Sequence, residues 1–336
     1  MADGLVKTGG MVTVFGGSGF VGRHVVRALA RDGWRIKVAS RRPDLAFHLQ
    51  PLGKVGQIMA VQANLRFPAS VAAAVQGSEA VVNLAGILAP RGRQSFEGVH
   101  VFGARAVAQA ARAAGVARLV HMSAIGADLA AASLYASSKG RGEEAVRAAF
   151  PGAMITRPSI IFGPEDDFFN RFAAMARIFP ALPLIGGGDT KFQPVYAGDV
   201  ANAIALGVAG KAAAGTIYEL GGPDVKSFGQ LLAYICEVTG RKRLLAPIPF
   251  GIAHAMAFGT EIASMLSLGL FPSMLEMTRD QVELLRQDNV VSVEAAAQGR
   301  TLQGLGLVPE TCEAIVPAYL QRFRKTGQFD VPKVTV

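Results

Sequence analysis

The clearest chemistry in this chain lies in the run Tyr135-Ala136-Ser137-Ser138-Lys139. On a helix, a spacing of four puts Tyr135 and Lys139 on one face. An ammonium beside a phenol stabilises the phenolate and lowers its pKa. The tyrosine can then exchange a proton with an alcohol or a carbonyl oxygen. Tyr-x-x-x-Lys also arises on helices by chance, so its meaning depends on what precedes it in the fold.

What precedes it is Val12-Thr13-Val14-Phe15-Gly16-Gly17-Ser18-Gly19-Phe20-Val21-Gly22-Arg23. An apolar run ends at Phe15, and three glycines follow at a spacing of three, leading into a helix-forming stretch. Such a strand–turn–helix holds a dinucleotide pyrophosphate. Gly16 permits the tight turn, Gly19 leaves room for phosphate oxygens, and Gly22 lets the helix pack close to the strand. The helix N-terminus adds N–H groups and a positive dipole end. The candidate phosphate-binding set is Gly16, Ser18, Gly19, Phe20, Val21 and Gly22. With a nicotinamide in place to carry hydride, Tyr135 and Lys139 would handle the proton.

Three further sites follow from position relative to the glycine loop. Ser40-Arg41-Arg42 ends the second expected strand, where an acidic residue would mark NAD. Two arginines suit the 2′-phosphate instead, so NADPH is the expected cofactor, with NADP preferred over NAD. A solvated basic turn is the plainer alternative. Asn64 and Leu65 sit where an adenine-contacting loop belongs. Leu84, Ala85 and Gly86 end the fourth strand, where small residues let a cofactor pass. The five histidines show no metal-ligand spacing, and no metal site is expected.

The elements that must position these residues alternate as in a parallel sheet covered on both faces. Strands are expected at about 12–15, 35–39, 58–61, 80–84, 118–122 and 153–156. Helices are expected at 22–31, 103–114 and 135–150. The fold class is α/β, a Rossmann-type doubly wound parallel sheet with a smaller C-terminal α/β domain. The expected domains are 1–160, with some later segments returning to it, and 161–329, followed by a flexible tail at 330–336. In the second half, helices are expected at 169–178, at 200–208 with Asp199 as N-cap, and at 231–239 behind a Ser227/Gln230 capping box. A strand is expected at 216–220.

The stretch 252–271 is unusually apolar, with only His254 and Glu261 ionisable. It is about long enough to span a bilayer, but Pro249 and Pro272 bound it and Glu261 sits near its centre. Two readings stay open: a buried helix of the smaller domain, or a helix lying in a membrane interface or on a hydrophobic partner.

The chain has 336 residues, 51% of them hydrophobic, enough for one large α/β unit or two modest domains. Two cysteines, Cys236 and Cys312, make no disulfide framework and point to a reducing, cytoplasmic setting. The first ten residues lack the apolar core of a signal peptide. The net charge is +9, and residues 1–120 carry 15 Lys/Arg against 5 Asp/Glu. That excess suits a polyanionic cofactor, anionic lipid or an acidic partner. The positive charges are scattered, with no aromatic-interleaved basic run, so nucleic acid is not an expected partner.

Together, the glycine loop, Tyr135/Lys139 and Arg157-Pro158-Ser159 resemble the short-chain dehydrogenase/reductase superfamily in its extended or atypical branch. More narrowly, Arg157 to Asp166, Phe192 to Val200 and Thr278-Arg279-Asp280-Gln281-Val282-Glu283 resemble the NAD(P)H-binding accessory subunit family of respiratory complex I. The resemblance implies a Rossmann domain, a small C-terminal domain and Pro158 among the cofactor-binding residues. It also implies a tightly held NADPH beside complex I subunits or a membrane surface. In a bacterium that is the cytoplasmic face of the inner membrane. The superfamily usually places Ser or Thr at the end of the fifth strand to hold a substrate oxygen. Here Ala124 occupies that register and Ser123 lies one residue early, on the opposite alternation. Tyr135 and Lys139 are therefore either catalytic or hold the nicotinamide ribose. Three functions remain in view. One is a complex I accessory or assembly subunit with a structural or sensing cofactor. Another is a catalytic NADP-dependent reductase or epimerase acting on a hydrophobic alcohol, ketone or quinone-related small molecule. The third is a redox-sensing binder.

Overall fold

A computed structural model describes residues 9–90, 92–266, 277–325 and 327–329. The chain divides into two compact units. One comprises Met1–Pro158, Ala197–Leu220 and Ser292–Val308; the other comprises Ser159–Tyr196, Gly221–Val291 and Pro309–Val336.

The first unit is built on seven strands: β1 (Met11–Phe15), β2 (Arg35–Ser40), β3 (Ile58–Gln62), β4 (Ala80–Asn83), β5 (Arg118–Met122), β6 (Met154–Pro158) and β7 (Ile217–Leu220). All pair in parallel, in the order β7-β6-β5-β4-β1-β2-β3. The central strands bury both faces, as Val12, Val14, Val81 and Val82 show at 0% exposure, so they read as continuous apolar runs. Helices α1 (Phe20–Arg31), α2 (Pro68–Val75), α3 (Ala104–Ala113), α4 (Leu134–Ala149) and α5 (Ala197–Val208) supply the covering layers. Val107, Ala108 and Ala111 of α3 and Val146 of α4 pack with Phe15, Val81 and Leu119 on one face. Strand order reverses between β1 and β4, where the carboxyl ends of an open parallel sheet leave a crevice.

Two local expectations change. The helix expected at 103–114 starts earlier, because Glu97–Gly103 forms a π-helical segment that runs directly into α3. Asp199 is not an N-cap. Helix α5 begins at Ala197, and Asp199 lies buried inside its first turn. The chain enters α5 directly from the short strand Val195–Tyr196, which leaves no loop for a cap.

The second unit packs helices Phe168–Ile178, Phe228–Val238 and Cys312–Leu320 around Phe162, Phe169, Leu182, Phe228 and Leu231. The Ser227/Gln230 capping box is present, heading Phe228–Val238. Buried Asp166 heads Phe168–Ile178, accepting from Phe169 N at 2.6 Å and from the Tyr319 hydroxyl at 2.5 Å. The apolar stretch forms the helix Phe250–Leu266; positions 267–271, like the tail at 330–336, lie outside the described residues. Its buried side is Ala253 and Ala257, while Ile252, Met256, Phe258 and Ile262 are exposed. His254 and Glu261 face neighbours instead of solvent alone: His254 lies 3.4 Å from Glu283, and Glu261 accepts from Arg279. Among the described residues, no helix is long and apolar enough to cross a membrane.

Candidate dinucleotide site

At the carboxyl end of β1 the backbone turns through Gly16, whose φ of 78° is left-handed. Gly19 N donates to Gly16 O at 3.1 Å, and α1 starts one residue later. No side chain caps α1, so its first turn keeps its N–H groups for another acceptor. A Cβ on Gly22 would lie 2.3 Å from Gly16 O and 2.6 Å from Gly17. This uncapped, close-packed corner fits a pyrophosphate: the backbone of Gly16, Ser18 and Gly19 would surround it, and Phe20, Val21 and Gly22 would offer the helix N-terminus. Gly22→Ala is expected to force α1 off the strand. Overpacking of this kind costs about 1–3 kcal/mol. A tenfold or greater rise in the Kd for NAD(P)H, read by nicotinamide fluorescence, is the expected result.

Beside this corner, Leu84 N donates to Phe15 O at 2.9 Å, which places Leu84-Ala85-Gly86 along the turn. Asn83, at the end of β4, holds that loop by accepting from Ala85 N at 3.2 Å. Its amide nitrogen lies 3.1 Å from His121 Nδ1 on β5, so the imidazole accepts there and carries its proton on Nε2.

Past β2, Ser40 Oγ accepts from Arg42 N at 3.3 Å. The Arg42 guanidinium is already engaged by Asp44, with Nη2 to Oδ2 at 2.9 Å. This holds the Asp44 carboxyl below its usual range and Arg42 above its own. With the Gln94 amide turned to present its oxygen, Arg41 donates to it at 2.6 and 3.0 Å. A 2′-phosphate on these arginines must therefore compete with Asp44 and Gln94. In the loop after β3, the Asn64 side-chain oxygen accepts from Arg66 N, and Leu65 packs against the α2–α3 layer. Pro158 closes β6, where its carbonyl accepts from Ile125 N at 3.0 Å.

Tyr135 and Lys139 lie in the first turns of α4, which Ser133 caps by accepting from Ala136 N. Lys139 Nζ sits 5.8 Å from the Tyr135 ring centroid and donates to Met122 O at 3.3 Å. Burial pushes its pKa down to about 8, against a smaller upward pull from Glu143. The loop after β4 reaches this lysine, since a Cβ on Gly86 would lie 3.3 Å from Nζ. Ser123 is 2% exposed, and its hydroxyl has no hydrogen-bond partner among the described residues.

His100, from the π-helical segment, joins these parts and was not singled out from sequence. Its Nε2 accepts from Ile87 N at 3.0 Å, so Nδ1 carries the proton and donates to Ser138 Oγ at 2.8 Å. Ser138 in turn donates to Tyr135 O. The ring meets Tyr135 edge-on at 5.5 Å. Burial, with Lys139 nearby, brings the pKa of both His100 and His121 down to about 3, so both rings are neutral at pH 7. A π segment at such a place is a recurrent mark of function, but no side-chain period announces it. Among the described residues, no cluster of three or more His, Cys, Asp or Glu is placed to hold a metal.

An Arabidopsis thaliana protein named NADH dehydrogenase [ubiquinone] 1 alpha subcomplex subunit 9, mitochondrial, is 34% identical over 95% of this chain and 79% of its own length. The ceramide reductase of Caulobacter vibrioides is 40% identical, over 52% of this chain and 54% of that protein. Among solved structures, an Escherichia coli NADPH-dependent quinone oxidoreductase complexed with NADPH superposes with a TM-score of 0.69. It is 21% identical over 92% of this chain and 99% of that one, a likeness of fold. The model of the NAD dependent epimerase/dehydratase family matches residues 12–221, from Val12 in β1 through the glycine corner and the Tyr135/Lys139 helix to the end of β7. The chain is thus a homologue of the complex I subunit, and it belongs to the NAD dependent epimerase/dehydratase family.

Proposed function

We propose that this protein is an NADP(H)-holding accessory or assembly subunit of a membrane-associated respiratory complex I, with the dinucleotide in a structural or sensing role. The observation that carries this reading is the span of the similarity. The Arabidopsis subunit aligns over 95% of the chain and so over both units, whereas the ceramide reductase aligns over 52%. The exposed Ile252, Met256, Phe258 and Ile262 supply apolar surface of the kind a subunit or bilayer interface covers. This is consistent with a peripheral position at the cytoplasmic face of the inner membrane in a bacterium. Arg41 and Arg42 favour NADP over NAD, with Asp44 as the competing anion. Gly16, Ser18, Gly19, Phe20, Val21 and Gly22 bind the pyrophosphate, Leu84, Ala85, Gly86 and Pro158 line its course, and Asn64 and Leu65 border the adenine. Tyr135 and Lys139 hold the nicotinamide ribose.

A second reading is favoured by the intact Tyr135/Lys139 pair and by the 40% identity to the ceramide reductase. In it the protein is an NADP-dependent reductase of a hydrophobic ketone. The nicotinamide supplies hydride when bound. Tyr135 gives a proton to the substrate oxygen, Lys139 holds the phenol ready, and Ser123, whose buried hydroxyl has no partner among the described residues, is the hydroxyl offered to that oxygen.

One experiment separates the two. The protein is purified from its own membranes without added nucleotide, its reduced-nicotinamide absorbance is read, and a panel of quinones and long-chain ketones is added. Native gels stained for NADH dehydrogenase follow the same fractions. Retained NADPH that the panel leaves reduced, with comigration on the gel, is the expected result. Rapid oxidation that Tyr135→Phe abolishes while nucleotide stays bound, without comigration, overturns the first reading and establishes the second.

A further inference from the structure

Lys139 and Glu143 are four residues apart on α4, the spacing at which an ammonium and a carboxylate ordinarily pair. Here they do not form an ion pair. Glu143, 4% exposed, gives both carboxylate oxygens to Arg157 on β6: Nε to Oε1 at 2.8 Å and Nη2 to Oε2 at 2.7 Å. Arg157 is itself held from the far side. In the sheet it stands opposite Glu219 of β7, and its Nη1 lies 3.9 Å from Glu219 Oε1. Glu219 Oε2 accepts from Ser292 N at 2.7 Å. An alternating line of charges thus runs from the Lys139 helix to the sheet edge, and its order takes Glu143 away from Lys139.

We propose that Arg157 is a positioning residue: by holding both oxygens of Glu143 it keeps the Lys139 ammonium from pairing along its own helix and leaves it directed at Tyr135 and the Met122 carbonyl. A bidentate guanidinium does this where a lysine cannot, because it saturates the carboxylate in one fixed geometry. The other titratable groups around Lys139 are His100 from the π-helical segment, His121 from β5 and Tyr135 from α4. Both histidines are neutral at pH 7, so among the described residues around it Glu143 is the anion that Lys139 could turn to. The proposal rests on the reading that Tyr135 and Lys139 face the dinucleotide only for its relevance to function. The arrangement of charges is tested without nucleotide.

The test is a pH titration of the protein carrying 13Cε-labelled lysine, followed by NMR, with the Lys139 signal assigned by its loss in Lys139→Arg. In Arg157→Met the midpoint for Lys139 is expected to rise by at least about one pH unit as Glu143 turns to it. In the double variant Glu143→Gln/Arg157→Met, which has no carboxylate to release, the midpoint is expected at or below that of the unmodified protein. A midpoint unmoved in Arg157→Met overturns the proposal, as does an equal rise in both variants. Should Arg157→Met not fold, Arg157→Lys carries the same test: it frees one Glu143 oxygen, and an unmoved midpoint there is likewise fatal. A confirmed shift with no nucleotide bound at any pH would leave the role of Arg157 standing and remove the dinucleotide reading instead.

Discussion

Lowering the pH from 6.5 to 4.5 should remove about 5 kcal/mol from the stability of the first unit, through His100 and His121 alone. Burial is the leading cause at both rings, reinforced by the Lys139 ammonium, and each pKa falls to about 3 in the folded state. In the unfolded chain both return to about 6.5. The sign follows from proton counting: below pH 6.5 the unfolded state takes up two protons that the folded state refuses. Stability is therefore fully present above 6.5 and is lost as pH falls toward 3, at about 1.4 kcal/mol per unit for each ring. Against a total of about 5–15 kcal/mol for a typical domain, this is enough to set the acid limit of the fold. Urea titrations at a series of pH values measure it directly. His121→Gln should halve the slope between pH 6 and 4. A slope unchanged by that substitution would mean the ring is not the group being charged.

Replacing Lys139 by Met should make the protein more stable at pH 7, by about 3 kcal/mol, while removing the ammonium that lies beside the Tyr135 ring. Burial holds the Lys139 pKa at about 8. In the unfolded chain the ammonium deprotonates only near 10.4. Between those values the unfolded state binds more protons, so ionisation of this lysine opposes folding at every pH below about 8. The penalty fades as pH climbs from 8 toward 10.4. Met fills much of the same space with no charge to desolvate. The gain in urea midpoint at pH 7 should accordingly close by about pH 10.5. Stabilisation that persists unchanged at pH 10.5 would point to improved packing and away from a buried charge. A residue that costs stability where it stands is one retained for another reason, which is the expected pattern at a site.

The parts of this architecture that were legible in the sequence are those with local signals. The glycine corner announces β1 and α1 because only Gly fits at position 22, where a Cβ would lie 2.3 Å from Gly16 O. The parallel sheet announces itself through apolar runs such as Ala80–Asn83, buried at every position. Spacing alone put Tyr135 and Lys139 together. What stayed hidden involves partners distant in sequence. His100 is a single histidine on a helix, and nothing in its neighbours gives away Ile87 on one side and Ser138 on the other. Glu143 and Arg157 meet across a helix and a strand. The partner of Arg42 was nearer, since Asp44 stands only two residues away. Asp199 misled because a capping residue type is no guide where the chain enters the helix straight from a strand.

The first unit closes only when chain from three separate stretches has come together, the last of them ending at Val308. During synthesis, β6 is complete at Pro158, but its neighbour β7 is not made until Leu220. For that interval β6 is a bare edge, with unpaired backbone groups ready to recruit another nascent chain. At about 5–20 residues per second, the wait from Pro158 to Leu220 is roughly 3–12 s. A fragment ending at residue 158 keeps that edge open and is expected to aggregate more readily than the whole chain. The two units cannot be produced as separate pieces by a single cut, and the protein is one indivisible product of translation.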